Sequence, residues 1–250
     1  MASKTVNGYL FVKLAITLNR RNTLFVTLPA MILPFMASLV YFVWLAGRDM
    51  ANWIYGATKV FTLVWPLAVY LALEKGTWRD LAPRDWKPHL RAIPLGLLTG
   101  AAIFAVVILG FLYTPLGDYV RNHSDGILRK VEDFRIASPL RFLAFSVFLC
   151  VLHSGIEEYY WRWFVFGRLR SLMSHGAAIF WASLAFAAHH YVVLWQFFTP
   201  PGAIFFGTCV GLGGALWCWM YRRQKSLLGA WISHLLVDAV IFIIGYRLVF

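Results

Sequence analysis

Seven stretches of this 250-residue chain stay apolar over a window of about 19 residues, long enough to cross a lipid bilayer as helices. They cover residues 23–46, 53–73, 93–115, 141–170, 176–198, 203–221 and 227–248. Lipid offers no partner to a backbone N–H or C=O, so only helices or a closed barrel can span it, and spans of this length fit helices. The pattern predicts an all-α, polytopic transmembrane helical bundle of about seven (seven to eight) membrane helices around a buried polar cavity. Residues 1–250 then make one transmembrane domain, too short for a second. Composition agrees: 60% of residues are hydrophobic and 14% charged, where a soluble domain carries about 25% charged residues.

A formal net charge of +12 would suggest nucleic acid as the partner of a soluble protein. Here Lys and Arg cluster in short loops between apolar spans, so the charge reads as membrane topology, with no nucleic-acid partner. With the N-terminus inside, the inner side carries Lys4, Lys13, Arg20, Arg21, Lys75, Arg79, Arg84, Lys87, Arg91, Arg168, Arg170, Arg222, Arg223 and Lys225. The outer side carries Arg48, Arg121, Arg129, Lys130, Arg135, Arg141 and Arg247. Fourteen against seven favours N-in, C-out, in a bacterial inner membrane or, alternatively, the endoplasmic reticulum. Lys4, Asn7 and Lys13 interrupt the first apolar residues, so no cleavable signal is expected. Cys150, Cys209 and Cys218 are odd in number and lie in apolar segments, which implies inert buried thiols and no disulfide framework.

Smaller features add detail. The fourth span is long and passes through Glu157, Glu158 and Arg162 without a stop after Gly155. Pro29, Pro34, Pro66 and Pro94 read as tolerable kinks. Between residues 116 and 138, Ile127, Leu128, Val131 and Phe134 recur at near-helical spacing among charges, which predicts an amphipathic connecting helix on the membrane surface. Gly96–Gly100 and Gly207–Gly211 are G-x-x-x-G pairs, marks of close helix contact within the bundle or between copies.

Against this apolar background stand Glu157, Glu158, His190, His234 and Asp238. A charged group at bilayer depth costs at least about 2.5–3.5 kcal/mol on insertion scales, so such residues are usually functional. At about 1.5 Å per residue, Glu157, His190 and Asp238 fall roughly 17–21 Å above the inner ends of three spans, at one level near mid-membrane. His234 shares a helix face with Asp238 four residues on, and Glu158 with Arg162, a ready ion pair. Glu157 points about 100° from Glu158 on an ideal helix, free to face a pocket. His153, one turn earlier, is placed to hydrogen-bond Glu157. His153 and His189 otherwise read as ordinary polar residues of a bundle, Lys59 as a snorkelling or paired cation, and His123 and His175 as loop residues.

Written as motifs, the chain reads Glu157-Glu158-x-x-x-Arg162, Phe186-x-x-x-His190 and His234-x-x-x-Asp238, each inside an apolar span. This order resembles the CPBP family of intramembrane proteases, also called the Abi or type II CAAX prenyl endopeptidase family. The motif-bearing part is about 141–248. The resemblance implies a bundle of about eight membrane helices around a cleft, and a peptidase that hydrolyses a peptide bond in or beside the membrane. It implies Glu157 and His190 as the pair activating water, His234 and Asp238 as oxyanion or water-positioning groups, and Glu158, Arg162 and Phe186 in support. The implied partners are the bilayer and a membrane-associated peptide or protein, prenylated for the eukaryotic members; oligomeric state stays open.

Asp238 stands where the family's best-known members carry Asn. Asn donates a hydrogen bond to an oxyanion, which a carboxylate does only when protonated. A second reading has His190, His234 and Asp238 holding zinc, because two imidazoles and a carboxylate with an open position suit hydrolytic zinc. The Glu–His water mechanism is the favoured expectation. Buried acid and histidine chains also build proton relays, so a proton-coupled transporter is the competing class. The absence of a sequence repeat and the confinement of the key residues to the last four spans count against it. A non-catalytic scaffold with a protease-like pocket is the third.

Overall fold

The computed structural model describes residues 18–46, 48–83 and 85–250. The expectations that rest on Lys4, Asn7, Lys13 and Arg84 lie outside the described residues.

Among the described residues, seven helices are long and apolar enough to cross a membrane: α1 (Arg20–Trp44), α2 (Trp53–Leu73), α3 (Lys87–Tyr113), then, after two short helices α4 (Pro115–Asn122) and α5 (Ser124–Asp133), α6 (Pro139–Leu172), α7 (His175–Leu194), α8 (Pro200–Gln224) and α9 (Leu227–Val249). The described residues contain no strand. The described residues are thus an all-helical bundle with seven candidate spans.

Local chemistry explains the boundaries. Asn19 caps α1 by accepting from the Asn22 amide at 2.9 Å, and Ser226 caps α9 through the Leu228 amide at 3.1 Å, each satisfying an amide the helix leaves unpaired. Pro115, Pro139 and Pro200 sit in first turns, where their missing N–H is no loss. Pro29, Pro34 and Pro66 lie inside helices, but Pro94 sits in the first turn of the segment Ile93–Tyr113 of α3, where its missing N–H is no loss.

Helix α6 is the axis of the bundle. From Glu158 to Phe166 its turns widen to i→i+5 hydrogen bonding, and every residue there except Tyr159 is buried. A helix that is buried all round belongs in a core. Long-range anchors hold it: Tyr160 donates to the Ala30 carbonyl of α1 at 2.7 Å and Tyr159 to the Leu63 carbonyl of α2 at 3.1 Å. Helix α3 packs along α9, and α7 along α8.

The glycine pairs are internal packing points. A Cβ on Gly96 would stand 2.5 Å from the Gly229 carbonyl oxygen of α9, and one on Gly100 would stand 2.7 Å from Leu236. Gly207 makes room for the Tyr191 ring of α7 in the same way. The loop expected to hold one amphipathic helix holds two, because Thr114 caps α4 and His123 closes it before Ser124 starts α5. Arg168, counted with the inner-loop cations, instead lies within α6, fully buried, and pairs with Glu74 at 2.9 Å.

Candidate active site

The three motif segments meet on the inner faces of α6, α7 and α9. Helix α6 supplies Glu157 and Glu158, both buried. Helix α9 supplies His234, whose ring lies between the two carboxylates. His234 Nδ1 donates to Glu158 Oε1 at 2.8 Å, while its Nε2 faces Glu157 Oε2 at 3.7 Å and Asp238 Oδ1 at 3.7 Å. An ideal helix would turn Glu158 away from this ring. Here α6 has wide turns on both sides, over Leu149–His153 and again from Glu158 to Phe166, and both acids reach the same histidine. Such π-type turns recur at functional sites.

Glu158 also takes Arg162 Nη1 at 3.1 Å, with both residues fully buried, so the i,i+4 ion pair read from the sequence forms. Arg162 in turn lies 4.5 Å from the Phe186 ring centroid and 5.0 Å from that of Trp217, a cation–π setting for a guanidinium removed from water. This gives Phe186 two duties. Its ring covers Arg162, and its carbonyl accepts from His190 Nδ1 at 2.9 Å. With the proton on Nδ1, neutral His190 keeps a bare Nε2 as a lone-pair base.

Glu157 gathers more imidazoles than the motifs contain. Its Oε1 is 3.3 Å from His153 Nε2 and 3.8 Å from His189 Nε2. His189 lies flat over Trp161, with ring planes 6° apart and centroids 5.8 Å apart, and touches the His190 ring at a centroid distance of 4.0 Å. Glu157, His189 and His190 each offer a donor atom, all three within 4.8 Å of one another, so this trio could hold a metal. Among the described residues this is the three-donor group of that compactness, a different set from His190, His234 and Asp238.

Two tryptophans that the motif reading does not single out hold α9 in place. Trp231 donates from Nε1 to the Val151 carbonyl at 3.0 Å and to Ser154 Oγ at 3.1 Å, which locks α9 to α6 one turn before Glu157. Trp217 stacks on the His234 ring at 4.0 Å with planes 17° apart, and its Nε1 donates to Ser233 Oγ at 3.1 Å. Lys59 stands over the Tyr55 ring at 5.1 Å, away from the cluster. An open apolar groove lies elsewhere, along the Arg21 to Met36 face of α1.

The arrangement places a carboxylate, a bare imidazole nitrogen and a carboxylate–imidazole pair around one buried point. Such groups can take a proton from water and steady a charge that develops beside it. Residues 139–240 match the family model described as type II CAAX prenyl endopeptidase Rce1-like, which spans α6 to most of α9. The match covers about two-fifths of the chain and includes all three motifs. No curated protein and no solved structure matches the chain.

Proposed function

We propose that this chain, with its type II CAAX prenyl endopeptidase-like segment at 139–240, is an intramembrane endopeptidase that cleaves a membrane-associated peptide or protein. Glu157 is the general base and His190 its partner in activating the attacking water. His234, as an imidazolium with its Nδ1–H on Glu158, steadies the tetrahedral oxyanion through Nε2–H, Asp238 orients His234 or the water, and Glu158 with Arg162 and Phe186 carries the first helix. The observation that supports this reading is the ring of Glu157, His190, His234 and Asp238. The 3.7 Å separations from His234 Nε2 to Glu157 and Asp238 exceed a direct hydrogen bond yet suit a bridging oxygen. A water there would touch the base and the group that later holds the oxyanion.

Water attacks the scissile carbonyl as Glu157 takes one of its protons. Collapse of the tetrahedral oxyanion then expels the amine, which receives that proton. The Glu157→Gln substitution keeps size and removes the base, so it lowers cleavage by about 10²–10⁴-fold while insertion and folding persist. Wild-type cleavage of a farnesylated CAAX-type peptide by this variant would sink the assignment.

The compact Glu157, His189 and His190 donor group favours a second reading, in which these three hold zinc. The donor chemistry fits, two imidazoles and a carboxylate with an open position, and bound zinc would acidify water. The metal-free reading is preferred because Glu157 Oε1 already faces His153 Nε2 at 3.3 Å, whereas the His190 Nδ1 bond to a carbonyl fits either reading. Metal analysis of the purified protein, then cleavage with chelator and with zinc added back, separates the two. The Lys and Arg asymmetry supports an N-terminus-inside orientation, read here as in a bacterial inner membrane with the endoplasmic reticulum as the alternative.

A further inference from the structure

Resting on the reading of Glu157 as base, we propose that His153 and His189, which lie outside all three motifs, are positioning residues that clamp Oε1 of Glu157 and reserve Oε2 for the water. A carboxylate has two oxygens of equal intrinsic basicity, and a base that can present either one, in several rotations, spends little time in the productive geometry. The clamp removes that freedom. Oε1 faces His153 Nε2 at 3.3 Å and His189 Nε2 at 3.8 Å, whereas Oε2 faces His234 Nε2 at 3.7 Å. The two oxygens therefore look at different groups, one pair outside the motifs and one residue within them.

The ring atoms of His189 point the same way. Its Nδ1 is buried and has no hydrogen-bond partner. A neutral imidazole has one N–H and one bare nitrogen, and a buried N–H without an acceptor costs about 1–3 kcal/mol. The proton therefore belongs on Nε2, where the Glu157 carboxylate waits. His190, next in sequence, has the opposite tautomer because its Nδ1 meets the Phe186 carbonyl at 2.9 Å. Two adjacent histidines thus divide the work: one turns its N–H toward the carboxylate, 3.8 Å away, and the other keeps a bare nitrogen. The flat stack of His189 on Trp161 fixes the ring plane for this purpose.

The test uses purified full-length protein in detergent and an internally quenched farnesylated CAAX-type peptide. His153→Phe and His189→Phe keep an aromatic ring and remove the donor. Each should lower kcat roughly tenfold with little change in KM, and the pair together about 10²-fold, the scale of a 1 Å misplacement of a catalytic group. Gln places an amide nitrogen near the position of Nε2 and should recover most of the lost rate. Asn places it near Nδ1 and should not. A purely structural role would be served as well by Phe or Asn and would show no such ordering.

Nitrogen-15 spectra of histidine-labelled protein give a reading independent of substrate: His189 protonated on Nε2, His190 on Nδ1. Wild-type kcat in both Phe variants, or a His189 proton on Nδ1, overturns the clamp. Stoichiometric zinc that disappears in His189→Phe overturns it too, by making the imidazole a ligand. Glu157→Gln is measured alongside. An active Glu157→Gln removes the base reading, whereas an inactive one beside unaffected Phe variants removes the clamp alone.

Discussion

Glu158 is fully buried, with Arg162 at 3.1 Å on one side and His234 at 2.8 Å on the other. Breaking a buried pair by neutralising one partner leaves the other charge stranded, at about 3–5 kcal/mol. Glu158→Gln is therefore expected to unfold the protein at markedly lower temperature, read by tryptophan fluorescence in detergent. Glu157→Gln, whose partners are imidazoles, should keep its unfolding temperature. Equal thermal stability of the two variants would show that Glu158 is not the anchor of Arg162. Sequence made these acids visible because an ionisable group in an apolar span needs a reason. It separated them too sharply, since the ideal 100° step per residue does not hold where the α6 turns widen. His189 was hidden for a related reason: neighbouring helix residues diverge, so one histidine of a pair reads as a spectator. Trp217 and Trp231 were hidden by number, as two of 12 tryptophans in an apolar chain.

At the level of elements, α3 and α9 meet backbone to backbone at Gly96, where an added Cβ would lie 2.5 Å from the Gly229 oxygen. A larger residue cannot rotate away from a carbonyl. Gly96→Val should destabilise the bundle by about 1–3 kcal/mol, the usual range for overpacking. Because α9 carries His234 and Asp238, activity should fall with it. Gly110 lies on the same helix with nothing within 4 Å of its would-be Cβ, and Gly110→Ala should be neutral or stabilising by up to about 1 kcal/mol. Thermal unfolding of both variants checks the contrast, and equal effects would refute the close α3–α9 contact. The G-x-x-x-G spacing announced close approach, but its partner, here a helix of the same chain, is a tertiary fact that spacing does not encode. The wide turns of α6 leave no mark in composition, because they change which carbonyl each amide meets and not which residues are apolar.

For the whole molecule, seven apolar runs were enough to read the helical bundle, since lipid permits so few alternatives. Orientation rests on the charge asymmetry, and burial changes its count. Arg168 is held by Glu74 inside the fold and presents no charge to a loop. Burial pushes the Glu74 carboxyl above its ordinary value and the adjacent guanidinium pulls it back, so this pair acts as a packed unit. Taking Arg168 out leaves thirteen inner cations against seven outer ones, still a clear bias. Two of the outer cations are tied to carboxylates on the short helices, Arg121 to Asp118 and Lys130 to Asp133, each within one turn. Those helices, α4 and α5, should then face the outside, and the turn around Arg79 the inside. With the native cysteines replaced by Ala, Asp125→Cys should react with a membrane-impermeant maleimide on intact cells. Arg79→Cys should react only after permeabilisation. The opposite pattern would invert the bundle, put its cleavage products on the other side of the membrane, and leave the packing of Glu157, His190 and His234 unchanged.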